Sequence, residues 1–183
     1  MAYIIGDKII EDDKEQIMAF HERGFGELHG ETLLLAPVEA LYLTEIKKIR
    51  ITRGEKETVK GASKKEGKIQ KTYDVSALFN EFKKGDKEIA VKYCVYRDLR
   101  KKGYVARTGL KYGTYFRVYE KGIRVGEGHS HWLVHPIQEH QKTSIYEIAR
   151  AIRLAHSVRK KMLWAIVDSE GDVTYYKMER MLP

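Results

Sequence analysis

The chain has a single cysteine, Cys94, in 183 residues, which excludes an internal disulfide and any zinc cluster built on cysteine. No apolar run is long enough to span a bilayer, and the N-terminus carries no signal-peptide pattern. The expected location is the cytoplasm, away from membranes. There is no Walker-A glycine loop, no G-x-S-x-G elbow and no H-E-x-x-H pair. Carboxylates do not pair at a convincing position, so neither a metal nor another cofactor is expected. What is in excess is positive charge: 34 Lys+Arg against 26 Asp+Glu give a net charge of +8. Such a field favours polyanions, nucleic acid among them, although a solvated lysine surface explains the charge equally well.

The length suits one large domain or two small ones. Tyr3 to Glu11 alternates around Gly6-Asp7 as a short hairpin. Asp13 with Gln16 caps a helix through Ile17, Met18 and Phe20 that stops at Gly24. Leu33-Leu34-Leu35 reads as a strand, and Pro37 opens a helix carrying Val38, Leu41, Tyr42 and Ile46 inward. From Lys47 to Lys71 the character changes: Arg53 to Lys68 has almost no apolar residues, three glycines and a net positive charge, which predicts a long basic loop, either a loose insertion or an arm touching phosphates. Asp74 caps a short helix through Val75, Leu78, Phe79 and Phe82, and Lys83 to Asp86 reads as a linker. The expected domains are therefore 1–85, a small α/β domain with the basic loop at about 50–71, and 86–183. In the second, a helix from about Asp86 to Lys102, with Cys94 in its core face, ends at Gly103. Strands follow at Tyr104–Thr108, Thr114–Glu120, His131–Ile137, Met162–Asp168 and Val173–Met178. The order α-β-β-β-α-β-β predicts a mixed sheet, so the fold class is α/β or α+β.

The best-marked element is the helix before the fourth of these strands. Ser144 and Glu147 form a capping box. Ile145, Ile148, Ile152 and Ala155 make one apolar stripe, while Arg153, His156, Ser157 and Lys160 follow the same spacing as a cationic ridge on another face. A cationic helix running into a central strand suits gripping an anion.

Residues suited to chemistry cluster in the second half. Strand alternation places Tyr115, Arg117 and Tyr119 on one face and Phe116 and Val118 on the other; a surface ladder is the commoner meaning of such a pattern. His129, His131 and His135 share a strand face without the spacing of a common zinc site. A histidine after a glycine-rich loop is better placed for proton transfer. A set of Tyr, His and Lys/Arg side chains can cleave RNA without a metal: a base takes the 2′-OH proton, an acid protonates the leaving 5′-oxygen, and a cation holds the phosphorane charge. A phenol ionises only near pH 10 in water, so a tyrosine base needs cations such as Arg117 close by.

Three ordered blocks, Lys111 to Tyr119, His129 to Val134 and Leu154 to Lys161, resemble the signature blocks of the archaeal tRNA-intron (splicing) endonucleases. Pro37 to Leu43, Lys92 to Arg100, Ala165 to Asp168 and Tyr175-Tyr176 extend the resemblance over nearly the whole chain. It implies an N-terminal α/β domain and a C-terminal restriction-endonuclease-like nuclease domain. It also implies metal-independent cleavage of precursor tRNA at a bulge-helix-bulge, with 2′,3′-cyclic phosphate and 5′-OH ends. By the same resemblance Tyr119 is the general base, His129 the general acid and Lys160 the transition-state cation, with Lys161 as the competitor one residue on. Arg153 stacks on a bulged base; Arg117, Lys64 and Lys65 are further RNA contacts. The basic segment looks like the extra loop of crenarchaeal catalytic subunits, which implies an α2β2 tetramer with a shorter structural subunit; a homotetramer is the other arrangement. A non-catalytic RNA-binding subunit of such a complex is the alternative function, disfavoured because all three catalytic positions are filled.

Overall fold

The computed structural model describes residues 2–6, 8–54, 72–108, 115–122 and 128–181. Lys64, Lys65 and most of the basic segment lie outside them. The chain divides into two compact units, residues 1–21 with 26–86, and residues 22–25 with 87–183.

In the first unit, β1 (Ala2–Ile5) and β2 (Lys8–Glu11) form the expected hairpin, with Tyr3 opposite Ile10. β3 (Glu27–His29) and β4 (Thr32–Leu35) form another. β5 (Ile51–Arg53) runs parallel to β1 and pairs with β6 (Thr72–Tyr73), completing a mixed sheet of order β3-β4-β2-β1-β5-β6. Strands β3, β5 and β6 escape a sequence reading because two or three residues are too few to show a period. Helix α1 (Lys14–Glu22) starts where the Asp13 carboxylate accepts the Gln16 N–H at 3.0 Å. Helix α2 (Pro37–Glu45) buries Val38 and Leu41, but Ile46 is 41% exposed because the helix stops one residue before it. The Glu39 carboxylate is buried, and there it accepts the N–H groups of Ala36 and Gly26 at 2.8 and 3.1 Å. Helix α3 (Val75–Gly85) begins at the Asp74 cap, whose Oδ1 accepts the Ala77 N–H at 2.7 Å. It continues through Lys83 and Lys84, which are therefore helical and no linker; two cations suit a helix C-terminus.

The second unit begins with α4 (Ile89–Lys101). Its start lies three residues later than the sequence predicts, and Cys94 on it is half-buried rather than in the core. β7 (Val105–Thr108), β8 (Phe116–Tyr119) and β9 (Trp132–Gln138) pair antiparallel in turn. α5 (Ile145–Ser157) then crosses over to β10 (Lys161–Val167), which lies parallel to β9, and β11 (Val173–Met178) closes the edge antiparallel. The sheet order is β11-β10-β9-β8-β7. A parallel pair needs such a crossover, and a helix supplies it.

Both faces of this sheet are covered. Cross-strand partners share a face, so the ladder puts Phe116, Val118, Val134, Ala165 and Val167 on one side. Tyr96 of α4 packs on Phe116 there, with ring centroids 5.8 Å apart. The other side carries Leu133, Ile137, Met162 and Trp164, buried against Ala155 with Ile148, Ala151 and Ile152 of α5. Ile145, expected in that stripe, is 84% exposed. It is the first residue of the helix, ahead of the turn that reaches the sheet. The cationic ridge is interrupted too: the helix ends at Ser157, and Lys160 belongs to the link into β10.

Candidate active site

The capping box of α5 is formed on both sides. The Ser144 hydroxyl oxygen accepts the Glu147 N–H at 3.2 Å, and the Glu147 carboxylate accepts the Ser144 N–H at 3.0 Å. The Ser144 N–H first, and its hydroxyl donating to the same carboxylate oxygen at 3.0 Å second, hold the Glu147 carboxyl below its ordinary pKa. At the other end the chain reverses in one residue. Arg159 takes a left-handed conformation, φ 54°, while its N–H reaches the His156 carbonyl at 3.0 Å and the Lys160 N–H reaches Ala155 at 2.8 Å. This double bond pattern turns the chain into β10 and fixes the Lys160 backbone.

The Lys160 side chain then extends toward the start of β9 and donates to the Ser130 carbonyl at 2.7 Å. Ser130 is 7% exposed and lies between His129 and His131. The ladder is continuous here, since Lys161 N–H donates to the His131 carbonyl at 3.1 Å and His131 N–H to Val118 at 2.8 Å. A cleft of about 540 Å³ is lined by His129, Ser130, His131, Val158, Arg159 and Lys160. Lys161 is absent from that lining; it opens β10 opposite Trp132.

Tyr119 ends β8 on the adjacent strand. The β8–β9 ladder ends where Val118 pairs with Trp132; Tyr119, one residue on, pairs with Val105 of β7 and by alternation from Arg117 takes the sheet face that α5 covers. It is 8% exposed and does not line the cleft itself. Its burial rules out a simple surface ladder. Tyr115, before the strand, is engaged elsewhere: its hydroxyl donates to Glu88 at 2.9 Å, and the Lys92 ammonium lies 3.8 Å from its ring centre.

Arg117 shares the Tyr119 face and acts on Lys160. Burial lowers the Lys160 pKa, and the Arg117 charge lowers it further. Two mutually repelling cations beside two histidines make a place where an anion is stabilised. His131 has Glu120 3.6 Å from its Nδ1 and stands edge-on to Trp132, at 4.6 Å between ring centres. Burial pushes His135, the third histidine, down in pKa; its ring lies tilted against Trp164, 4.7 Å between centres, away from the cleft. Among the described residues no group of three His, Cys, Asp or Glu side chains converges as a metal site.

Arg153 lies apart from this cleft, on the exposed side of α5, where it lines a shallow pocket with Ala149, Ile152, Glu179 and Arg180. Sequence reading misses Arg180, Arg159 and the Ser130 carbonyl. The first two look like ordinary surface cations in a basic chain, and a backbone carbonyl leaves no trace in residue type.

The second unit thus carries a basic cleft at one edge of a five-stranded mixed sheet, and comparison with known proteins gives its class. Residues 89–175 match the tRNA intron endonuclease catalytic C-terminal domain, and residues 1–60 match the N-terminal domain of the same enzymes. A tRNA-splicing endonuclease of Pyrococcus furiosus is 42% identical over 97% of this chain and 94% of its own. Those of Thermococcus gammatolerans and Methanococcus vannielii are 39% and 38% identical, each over 97% of this chain and over 95% and 92% of their own. The chain belongs to the tRNA intron endonuclease family. Tyr119, His129, Lys160 and Arg153 all fall within the stretch matched by the catalytic domain. Among the described residues no helix is long and apolar enough to cross a membrane.

Proposed function

We propose that this tRNA-splicing endonuclease cuts precursor tRNA at both strands of a bulge-helix-bulge by transesterification at phosphorus, with no metal ion taking part. Tyr119 removes the proton of the 2′-OH preceding the scissile bond. The resulting oxygen attacks the phosphate, His129 protonates the departing 5′-oxygen, and Lys160 stabilises the charge on the phosphorane. The products are a 2′,3′-cyclic phosphate and a 5′-OH end. The observation that carries this reading is the anchoring of Lys160 to the Ser130 carbonyl, beside His129, at the edge where Tyr119 arrives. A cation held by a backbone oxygen is preorganised, and so needs little rearrangement when charge develops.

Arg153, with Arg180 in the same pocket, presents two guanidinium groups to a splayed base, which stacking on arginine planes would hold. Arg117 adds a phosphate contact. Lys64 and Lys65 add two more from the basic segment. For assembly, an α2β2 tetramer with a shorter subunit rests on the length of that segment. A tetramer of this chain alone is the other arrangement, and the mass and activity of the purified protein decide between the two.

The deciding experiment incubates bulge-helix-bulge RNA with the protein in EDTA, comparing Tyr119→Phe and His129→Ala with the unaltered chain and identifying the ends. Cyclic phosphate and 5′-OH ends without divalent ions, with each variant at least a hundredfold slower, support the proposal. A divalent-ion requirement refutes the mechanism, and full activity in both variants refutes the site.

A further inference from the structure

Among the described residues, α2, α4 and α5 end in the same hydrogen-bonded reversal, and the residue at its left-handed position differs. In α4 it is Gly103, φ 86°, with its N–H on Arg100 and the Tyr104 N–H on Leu99. In α2 it is Lys47, φ 57°, and in α5 it is Arg159, φ 54°. Glycine takes this conformation without strain, whereas a residue with a Cβ is raised in energy there. Helix geometry therefore prefers glycine at position 159. An arginine held there at a cost in strain is a residue to explain by what its side chain meets.

What Arg159 meets is the cleft of His129 and Lys160. Every titratable side chain lining that cleft, among the described residues, is a base: His129, His131, Arg159 and Lys160. Lys160 is already tied to the Ser130 carbonyl. Arg159 is exposed, one residue before it, with a left-handed backbone that throws the side chain off the helix axis. A guanidinium offers a planar fork of donors that matches two oxygens of one phosphate.

We propose that Arg159 is a phosphate-holding residue of the cleavage cleft, gripping the backbone phosphate next to the scissile one so that the scissile phosphate stays in line with Lys160. This rests on the cleft being the cleavage site. The division of labour is a fixed cation, Lys160, for developing charge, and a longer, planar one, Arg159, for ground-state grip and register.

Arg159→Gly tests this sharply, because it removes the cation and relieves the backbone at once. Thermal melts are expected to show no loss of Tm, and Lys47→Gly, the same motif in the first unit, calibrates the strain relief by melting alone. Under single-turnover conditions with precursor tRNA, kcat/KM falls about tenfold to a hundredfold, as for a lost hydrogen-bonded charge contact. The slope of log binding constant against log salt becomes shallower by about 0.7 to 0.9, the loss of one phosphate neutralisation. Arg159→Lys keeps that slope while cleaving more slowly than the unaltered chain. Arg159→Gly that cleaves within twofold of the unaltered chain with the same salt slope overturns the proposal. So does a fall in Tm that accompanies the lost activity, which makes the residue structural. Should the unaltered chain not cleave at all, the function proposed above fails instead, and the salt slope for RNA binding still reads Arg159 by itself.

Discussion

Lys160→Ala separates a structural role from a catalytic one by magnitude. The substitution deletes the ammonium and with it the 2.7 Å contact to the Ser130 carbonyl. Lys160 is half-buried, so water takes over part of what that bond supplied, and the expected loss of stability is about 1 kcal/mol. A domain with at least about 5 kcal/mol in reserve stays folded after such a loss. The rate is a different matter. Removing one fixed donor aimed at developing charge lowers kcat by roughly 10² to 10³, or about 3 to 4 kcal/mol in the barrier. The rate effect thus exceeds the fold effect by about 2 kcal/mol, a margin that single-turnover cleavage with parallel melts resolves easily. The pH profile gives a second reading. Burial first, and Arg117 second, hold the Lys160 pKa below that of an ordinary lysine. The ammonium is the working form, so the rate must fall as pH rises through this lowered value, before it reaches the usual range near 10.4. Lys160→Arg, which keeps its charge, moves that descending limb toward higher pH. A loss of less than tenfold in Lys160→Ala, or a loss matched by unfolding, refutes the assignment.

Two more expectations concern the scaffold. Ser144→Ala breaks the capping box at the start of α5, and about 1 kcal/mol of stability should be lost in urea titration, with the kcat of cleavage unchanged because the cleft lies at the opposite helix end. Tyr175 is pushed up in pKa by burial, with its hydrogen bond to Asp98 adding to the effect. A raised folded value means that stability is intact below about pH 10, where an unfolded tyrosine titrates, and is lost as pH climbs from there. Alkaline unfolding followed by circular dichroism should therefore begin above about pH 10, and Tyr175→Phe should flatten that decline while lowering stability at neutral pH by about 1 kcal/mol.

The distance between the proposed catalytic residues in sequence is what a linear reading cannot bridge. The strands themselves are legible: alternation marks β8, a continuous apolar run marks β10, and the capping box marks α5 to the residue. Their order in the sheet is not legible, because alternation says which face a side chain takes and nothing about which strand lies next to it. The family resemblance supplied Tyr119, His129 and Lys160 as a set; the reason they can meet lies in the topology. β9 and β10 are parallel, so their starts lie side by side, and the α5 crossover returns the chain from the far end of one to the near end of the other. That brings the link holding Lys160 beside the approach holding His129. β8 runs antiparallel to β9, so its end reaches the same edge, and Tyr119 is its last residue. An even slip in the β9–β10 register would keep every side chain on its face and carry Lys160 two residues, about 7 Å, along the edge, too far to reach the Ser130 carbonyl. That bond is therefore more than a local contact. It ties the ladder register to the position of the charge, so the packing of Leu133, Met162 and Trp164 under α5 sets the aim of a side chain that none of them was recognised, from sequence, as serving.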